Sequence, residues 1–173
     1  MPEGAVKEKI TILDKRTIEV NLPSVDGYER IAMESSASFA KIGGLARDRI
    51  EDLKTAVSEA CLNAMEHGNK GLPEARVVVN MHLGHKNFRV WVKDEGNEIP
   101  HIPSTIDIRR KVERLEPPGG LGLYLIQQLV DRVDFSEEAD GGHVIEMVLK
   151  MDNQTTPYPL DENQTQTAMG GAR

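Results

Sequence analysis

The sequence predicts an α/β two-layer sandwich: one mixed, mostly antiparallel sheet with its helices on a single face. Three observations carry that prediction. Two segments, 76–83 and 88–93, alternate apolar and polar residues with period two across a short turn, and a second hairpin is read around Asp140-Gly141-Gly142. Three further segments repeat apolar residues at helical spacing. The order is strand, two helices, hairpin, helix and hairpin, which is not the regular alternation of a βαβ protein. At 173 residues the chain fits one domain burying about two-thirds of the surface its unfolded form exposes. That domain is expected over residues 1–150, with 151–173, polar and closing on glycines, as a disordered tail.

The elements follow in order. Ile10–Leu22 is rich in β-branched and apolar residues and reads as the first strand. Ser24, just after Pro23, is a candidate helix cap. Tyr28, Ile31, Ala32, Phe39 and Ile42 then recur at helical spacing until Gly43-Gly44. Asp48 and Glu51 have capping-box spacing before a second helix, expected from about Arg49 to His67. Its apolar stripe is Ile50, Leu53, Val57, Ala60, Cys61 and Ala64. Val77, Val79, Met81 and Leu83 alternate with polar residues, turn at Gly84–Asn87, and continue as Phe88, Val90 and Val92. Glu95–Pro118, rich in proline and charge, reads as a long mobile segment of the kind that often carries function. Gly119-Gly120-Leu121-Gly122 opens a third helix expected to reach Val133, and Asp134–Glu138 with His143–Lys150 forms the last hairpin.

Composition narrows the function. No apolar run approaches the roughly 20 residues that cross a bilayer, and the N-terminus has no apolar core of a secretory signal. A net charge of −7 argues against nucleic acid, which needs a basic stripe. The single cysteine, Cys61, excludes an internal disulfide framework and fits a reducing, cytoplasmic setting.

The informative residues are those that stability alone would not choose. Counting by twos from Phe88 puts Asp94 on the core side of its strand, where a carboxylate must find donors or cost several kcal/mol, by order of magnitude. Aspartate is also common where a strand enters a turn. His143 shares its strand face with Ile145, Met147 and Leu149, and a satisfied edge histidine accounts for it equally well. Glu59, Asn63 and His67 are spaced i, i+4, i+8, so they share one helix face away from the apolar stripe. That face is either solvated or aimed into a cleft, where glutamate serves as a base and an amide oxygen as a Mg²⁺ ligand. Gly119–Gly122 lacks the Gly-Lys-Ser/Thr of a Walker loop and the preceding strand of a dinucleotide fingerprint. Free N–H groups at a helix start without Cβ atoms nonetheless suit a phosphate.

In chain order these are Glu-x-x-x-Asn on a helix, Asp-x-Gly after a strand, a long mobile segment, and Gly-Gly-Leu-Gly before a helix. That order resembles the Bergerat-fold (GHKL) ATPases, and within them the anti-sigma-factor serine/threonine kinases. Ile50–His67 (IEDLKTAVSEACLNAMEH) looks like their N box, and Gly119–Val133 (GGLGLYLIQQLVDRV) like their last glycine box with its helix. The likeness spans about Ile10 to Lys150. It implies ATP and Mg²⁺ as cofactors, with Asn63 as the metal ligand and Glu59 as the base taking the substrate hydroxyl proton. Asp94 would accept from the adenine amine, with Gly96 giving the base access and His143 nearby. Gly120, Leu121 and Gly122 would form the phosphate-binding turn, and Glu95–Pro118 the ATP lid, whose Arg109, Arg110 and Arg114 are candidate γ-phosphate contacts.

Two positions depart from the family pattern. Glu98 stands where a second glycine often occurs, and His143 where a threonine usually lies near the adenine. The resemblance implies a cytoplasmic kinase that binds a sigma factor and phosphorylates an anti-sigma-factor antagonist, as a homodimer, without nucleic acid or membrane. Two alternatives are a non-catalytic nucleotide-binding partner-switch module and a detached catalytic domain of a sensor histidine kinase.

Overall fold

A computed structural model describes residues 14–96, 121–139 and 141–151. Residues 1–13, most of the expected lid with its arginines and Glu98, Gly119-Gly120, and the expected tail from residue 152 onward lie outside the described residues. The strands are β1 (Thr17–Pro23), β2 (Arg76–Leu83), β3 (Asn87–Lys93), β4 (Arg132–Glu137) and β5 (His143–Lys150). The helices are α1 (Glu29–Ile42), α2 (Arg47–Asn63) and α3 (Leu121–Leu129). The strands form one sheet in the order β1-β2-β3-β5-β4, with every described pairing antiparallel. The two-layer sandwich is therefore as the periodicities predict.

Period-two patterning fixes the sheet faces. Val77, Val79, Met81 and Leu83 on β2, and Phe88, Val90 and Val92 on β3, are all buried, while their neighbours in sequence are half-buried on the opposite face. The buried side receives α2, whose Leu53, Val57, Ala60 and Cys61 are fully inside. α2 packs between α1 and α3. Phe39 of α1 meets Phe88 of β3 edge to face, with ring centroids 5.6 Å apart. Burial among apolar neighbours, with a smaller contribution from the Glu29 charge, pushes the Cys61 thiol up to about 12. It stays protonated and inert at pH 8. Iodoacetamide is expected to leave Cys61 unmodified in the native protein and to label it fully after denaturation, as mass spectrometry would read.

The helix ends differ from the sequence expectations for identifiable reasons. Ser24 does not cap α1. It is buried, and its hydroxyl accepts from Asn69 Nδ2 at 2.7 Å. The chain turns at Gly27 (φ +94°), and Glu29 reaches back to accept the Gly27 N–H at 2.6 Å, so the helix begins five residues after Ser24. Asp48 lies inside the first turn of α2, which starts after Ala46, so its charge acts on the helix dipole without capping. α3 stops at Leu129, short of Val133. Arg49 donates to the Leu129 carbonyl at 2.9 Å and pairs with Asp131 at 2.7 Å, and Val133 is already opposite Met147 in β4.

The largest departure bears on function. α2 ends at Asn63, and residues Ala64–Gly68 form a π turn. The Asn69 N–H donates to the Ala64 carbonyl at 2.8 Å, five residues back. His67 lies within this turn and is exposed, whereas Glu59 and Asn63 are half-buried.

Candidate functional site

Two groups of residues, joined by the π turn, make the site. At the first, α2 presents Glu59 and its terminal residue Asn63, both half-buried, toward the start of α3. Gly122, the second residue of α3, lies against both. A Cβ built there would stand 2.5 Å from Glu59 Oε2 and 3.3 Å from Asn63 Nδ2. A side chain at 122 would therefore displace the Glu59 carboxylate from its present position. Among the described residues, Asn63 Nδ2 is the buried side-chain polar atom with no hydrogen-bond partner. Such an atom costs about 1–3 kcal/mol when left unmet, so stability alone would not select it. Leu121 begins α3 with its side chain exposed.

The second group surrounds Asp94, which is 5% exposed and on the core side, as its strand parity predicts. β3 and β5 pair through Lys93 and Val144, so the next residue on β3 meets His143 at the start of β5. The Asp94 N–H donates to the His143 carbonyl at 3.0 Å. In return Asp94 Oδ1 accepts three hydrogen bonds: from the backbone N–H of Gly96 at 2.8 Å, from that of His143 at 3.1 Å, and from His143 Nδ1 at 2.9 Å. Each donor to a carboxylate contributes about 1.5–3 kcal/mol, which offsets the cost of burying its charge. The other oxygen, Oδ2, takes the space that a Cβ at Gly68 would fill.

Three positions of this second group went unflagged in the sequence. Gly68, the residue after the expected end of the second helix, lies under the Asp94 carboxylate and beside Gly96. Asn69, 3% exposed, accepts the Glu95 N–H at 2.8 Å and donates to Ser24 Oγ and the Arg76 carbonyl, tying the ends of β1, β2 and β3 together. Gly142 takes φ +98°, and its N–H donates to the Gly96 carbonyl at 2.9 Å. A side chain at residue 142 would strike the Asp94 carbonyl. Positive φ at a hairpin glycine is the one local signal among the three.

Chemically, one end offers a carboxylate, an unmet amide and a helix start, and the other an inward carboxylate among glycines. Residues 23–149 match the family model of the histidine kinase-like ATPase domain. The serine-protein kinase RsbW of Bacillus pumilus is 32% identical over 164 residues, covering 84% of this chain and 96% of that protein. That of Bacillus thuringiensis is 34% identical over 127 residues, covering 70% of this chain and 78% of that protein. The chain belongs to the RsbW family of histidine kinase-like ATPases. A crystal structure of the RsbU and RsbW domains of a Mycobacterium tuberculosis protein shows the same fold, with a TM-score of 0.55 at 20% identity. The match covers 78% of this chain and 32% of that longer one. The likeness read from Ile50–His67 and Gly119–Val133 therefore holds, and ATP use and protein-kinase chemistry are properties of the family. No described helix is long and apolar enough to cross a membrane.

Proposed function

We propose that the protein is an ATP-dependent serine/threonine kinase that acts as an anti-sigma factor. It binds a sigma factor and phosphorylates an anti-sigma-factor antagonist. The observation that carries the nucleotide half is the Asp94 carboxylate: buried, saturated with donors on one oxygen and bordered by glycines on the other side. A charged acceptor so placed suits the exocyclic amine of adenine, and the missing Cβ atoms of Gly68 and Gly96 let the π turn close against the Asp94 carboxylate and hold it there. Asp94→Asn is expected to weaken ATP binding by about 1–3 kcal/mol, as isothermal titration calorimetry would measure. Unchanged affinity would reduce Asp94 to a turn residue.

The phosphates fit at the other end, against the start of α3, with Gly120, Leu121 and Gly122 supplying backbone N–H groups. The Asn63 amide, whose oxygen and nitrogen differ only by assignment, suits a Mg²⁺ ligand. Among the described residues no group of three acidic, histidine or cysteine side chains could hold a metal alone. Magnesium commonly relies on one or two protein oxygens plus phosphates, and when bound it would neutralise charge on the transferring group. Glu59 accepts the substrate hydroxyl proton as the hydroxyl oxygen bonds to the γ-phosphorus and the bond to the ADP oxygen breaks. Positioning and charge neutralisation supply most of the remaining acceleration.

Glu59 beside Asn63 favours a working kinase over a passive module, since a module needs no base at the phosphate end. A sigma factor and its antagonist as partners, a homodimeric state and a cytoplasmic location follow from the family resemblance. Incubation with labelled ATP and candidate antagonists tests the whole reading. Label on a serine or threonine of one antagonist is expected, and nucleotide binding without transfer would leave the partner-switch module.

A further inference from the structure

We infer that His143 is a positioning residue for base recognition: its Nδ1–H pins Oδ1 of Asp94, so that Oδ2 is the oxygen offered to the nucleotide base. This rests on the proposed role of Asp94 as the adenine acceptor, and it moves His143 from a cofactor contact to a residue acting through Asp94. The two side chains are each 7% exposed, and Nδ1 lies 2.9 Å from Oδ1. An ionised carboxylate only accepts, so the proton of this bond sits on Nδ1. Neutral His143 is therefore the Nδ1–H tautomer.

Three donors converge on one oxygen, two of them backbone groups that cannot follow a rotating carboxylate. Rotation about Cβ–Cγ would break all three bonds together. The histidine bond is the one of the three that a side chain supplies. Oδ2, over Gly68, takes none of the hydrogen bonds among the described residues. A carboxylate with one oxygen saturated and the other open is an oriented acceptor, which lowers the cost of ordering it when a ligand binds. The imidazole itself is held by the β3–β5 pairing and by Gly142, whose positive φ and bond to Gly96 start β5 at His143.

The test compares ATP with purine riboside triphosphate, which lacks the exocyclic amine, on the full chain carrying His143→Leu, His143→Asn or Asp94→Asn. Asparagine can place an N–H near the position of Nδ1, and leucine cannot. His143→Leu is expected to weaken ATP roughly 10-fold while leaving the amine-free analogue within about 2-fold, and His143→Asn to restore most of the ATP affinity. Equal losses for both ligands would mean that His143 merely holds the fold, and the inference falls. ATP preference lost in Asp94→Asn but kept in His143→Leu overturns the role of His143 and leaves that of Asp94 standing. Preference kept in Asp94→Asn removes both. Should the leucine variant not fold, nitrogen-15 imidazole spectra of the unsubstituted protein decide: a protonated Nδ1 is expected, and an unprotonated one overturns the inference.

Discussion

Glu59→Gln is expected to bind ATP with near-normal affinity and to transfer its phosphoryl group roughly 10²-fold or more slowly. The amide is isosteric, so the contact with Gly122 and the half-buried setting on α2 are preserved. What is lost is the capacity to take a proton. Single-turnover transfer from labelled ATP to the antagonist, alongside a calorimetric binding constant, separates the two effects. Transfer at the normal rate would make Glu59 a structural neighbour of the phosphate turn, leaving deprotonation of the hydroxyl to another group.

Gly96→Ala is expected to abolish measurable ATP binding and to destabilise the fold by about 1–3 kcal/mol. For a domain of this size that lowers Tm by roughly 3–10 °C, which differential scanning calorimetry would read. The new Cβ would overlap the Gly68 carbonyl, and a Cβ at 96 also stands 2.7 Å from the Gly68 carbonyl carbon. Backbone cannot rotate aside as a side chain can, so either the π turn or the end of β3 must shift. Both movements disturb Asp94, since the Gly96 N–H is one of its three donors. Gly27→Ala is the contrast: nothing lies within 4 Å of a Cβ there, so its cost comes from φ +94° alone and ATP affinity is expected to hold. An ATP affinity unchanged in Gly96→Ala would show that the glycine contact is not coupled to the base site.

The sheet was legible because its signal is local. Each strand of the β2–β3 hairpin alternates cleanly, and extending the parity by one step past Val92 places Asp94 inward without any knowledge of its surroundings. Glu59 and Asn63 were legible for the same reason, four residues apart on one helix. His67 lies beyond the end of α2 in the π turn and is exposed, which a 3.6-residue period does not signal. Gly68 and Asn69 were illegible for a deeper reason. Their constraint is a close approach to Asp94, Glu95 and Ser24, residues far away in the chain, and nothing adjacent in sequence encodes it. Ser24 illustrates the converse, a residue with a good local use that is committed to a tertiary bond instead.

The π turn sets a length. Asn63 precedes it, beside Glu59 and Gly122; Gly68 closes it, under the Asp94 carboxylate. Deleting one residue among 64–68 would replace the wide turn by regular α geometry and change the pitch at which Asn63 is joined to Gly68. The approach of Gly68 to the Asp94 carboxylate, too close to admit a Cβ, leaves little room for that change. The span between the two ends of the candidate site is thus set by the shape of this turn. That segment should tolerate changes of side chain at exposed Glu66 and His67 far better than any insertion or deletion.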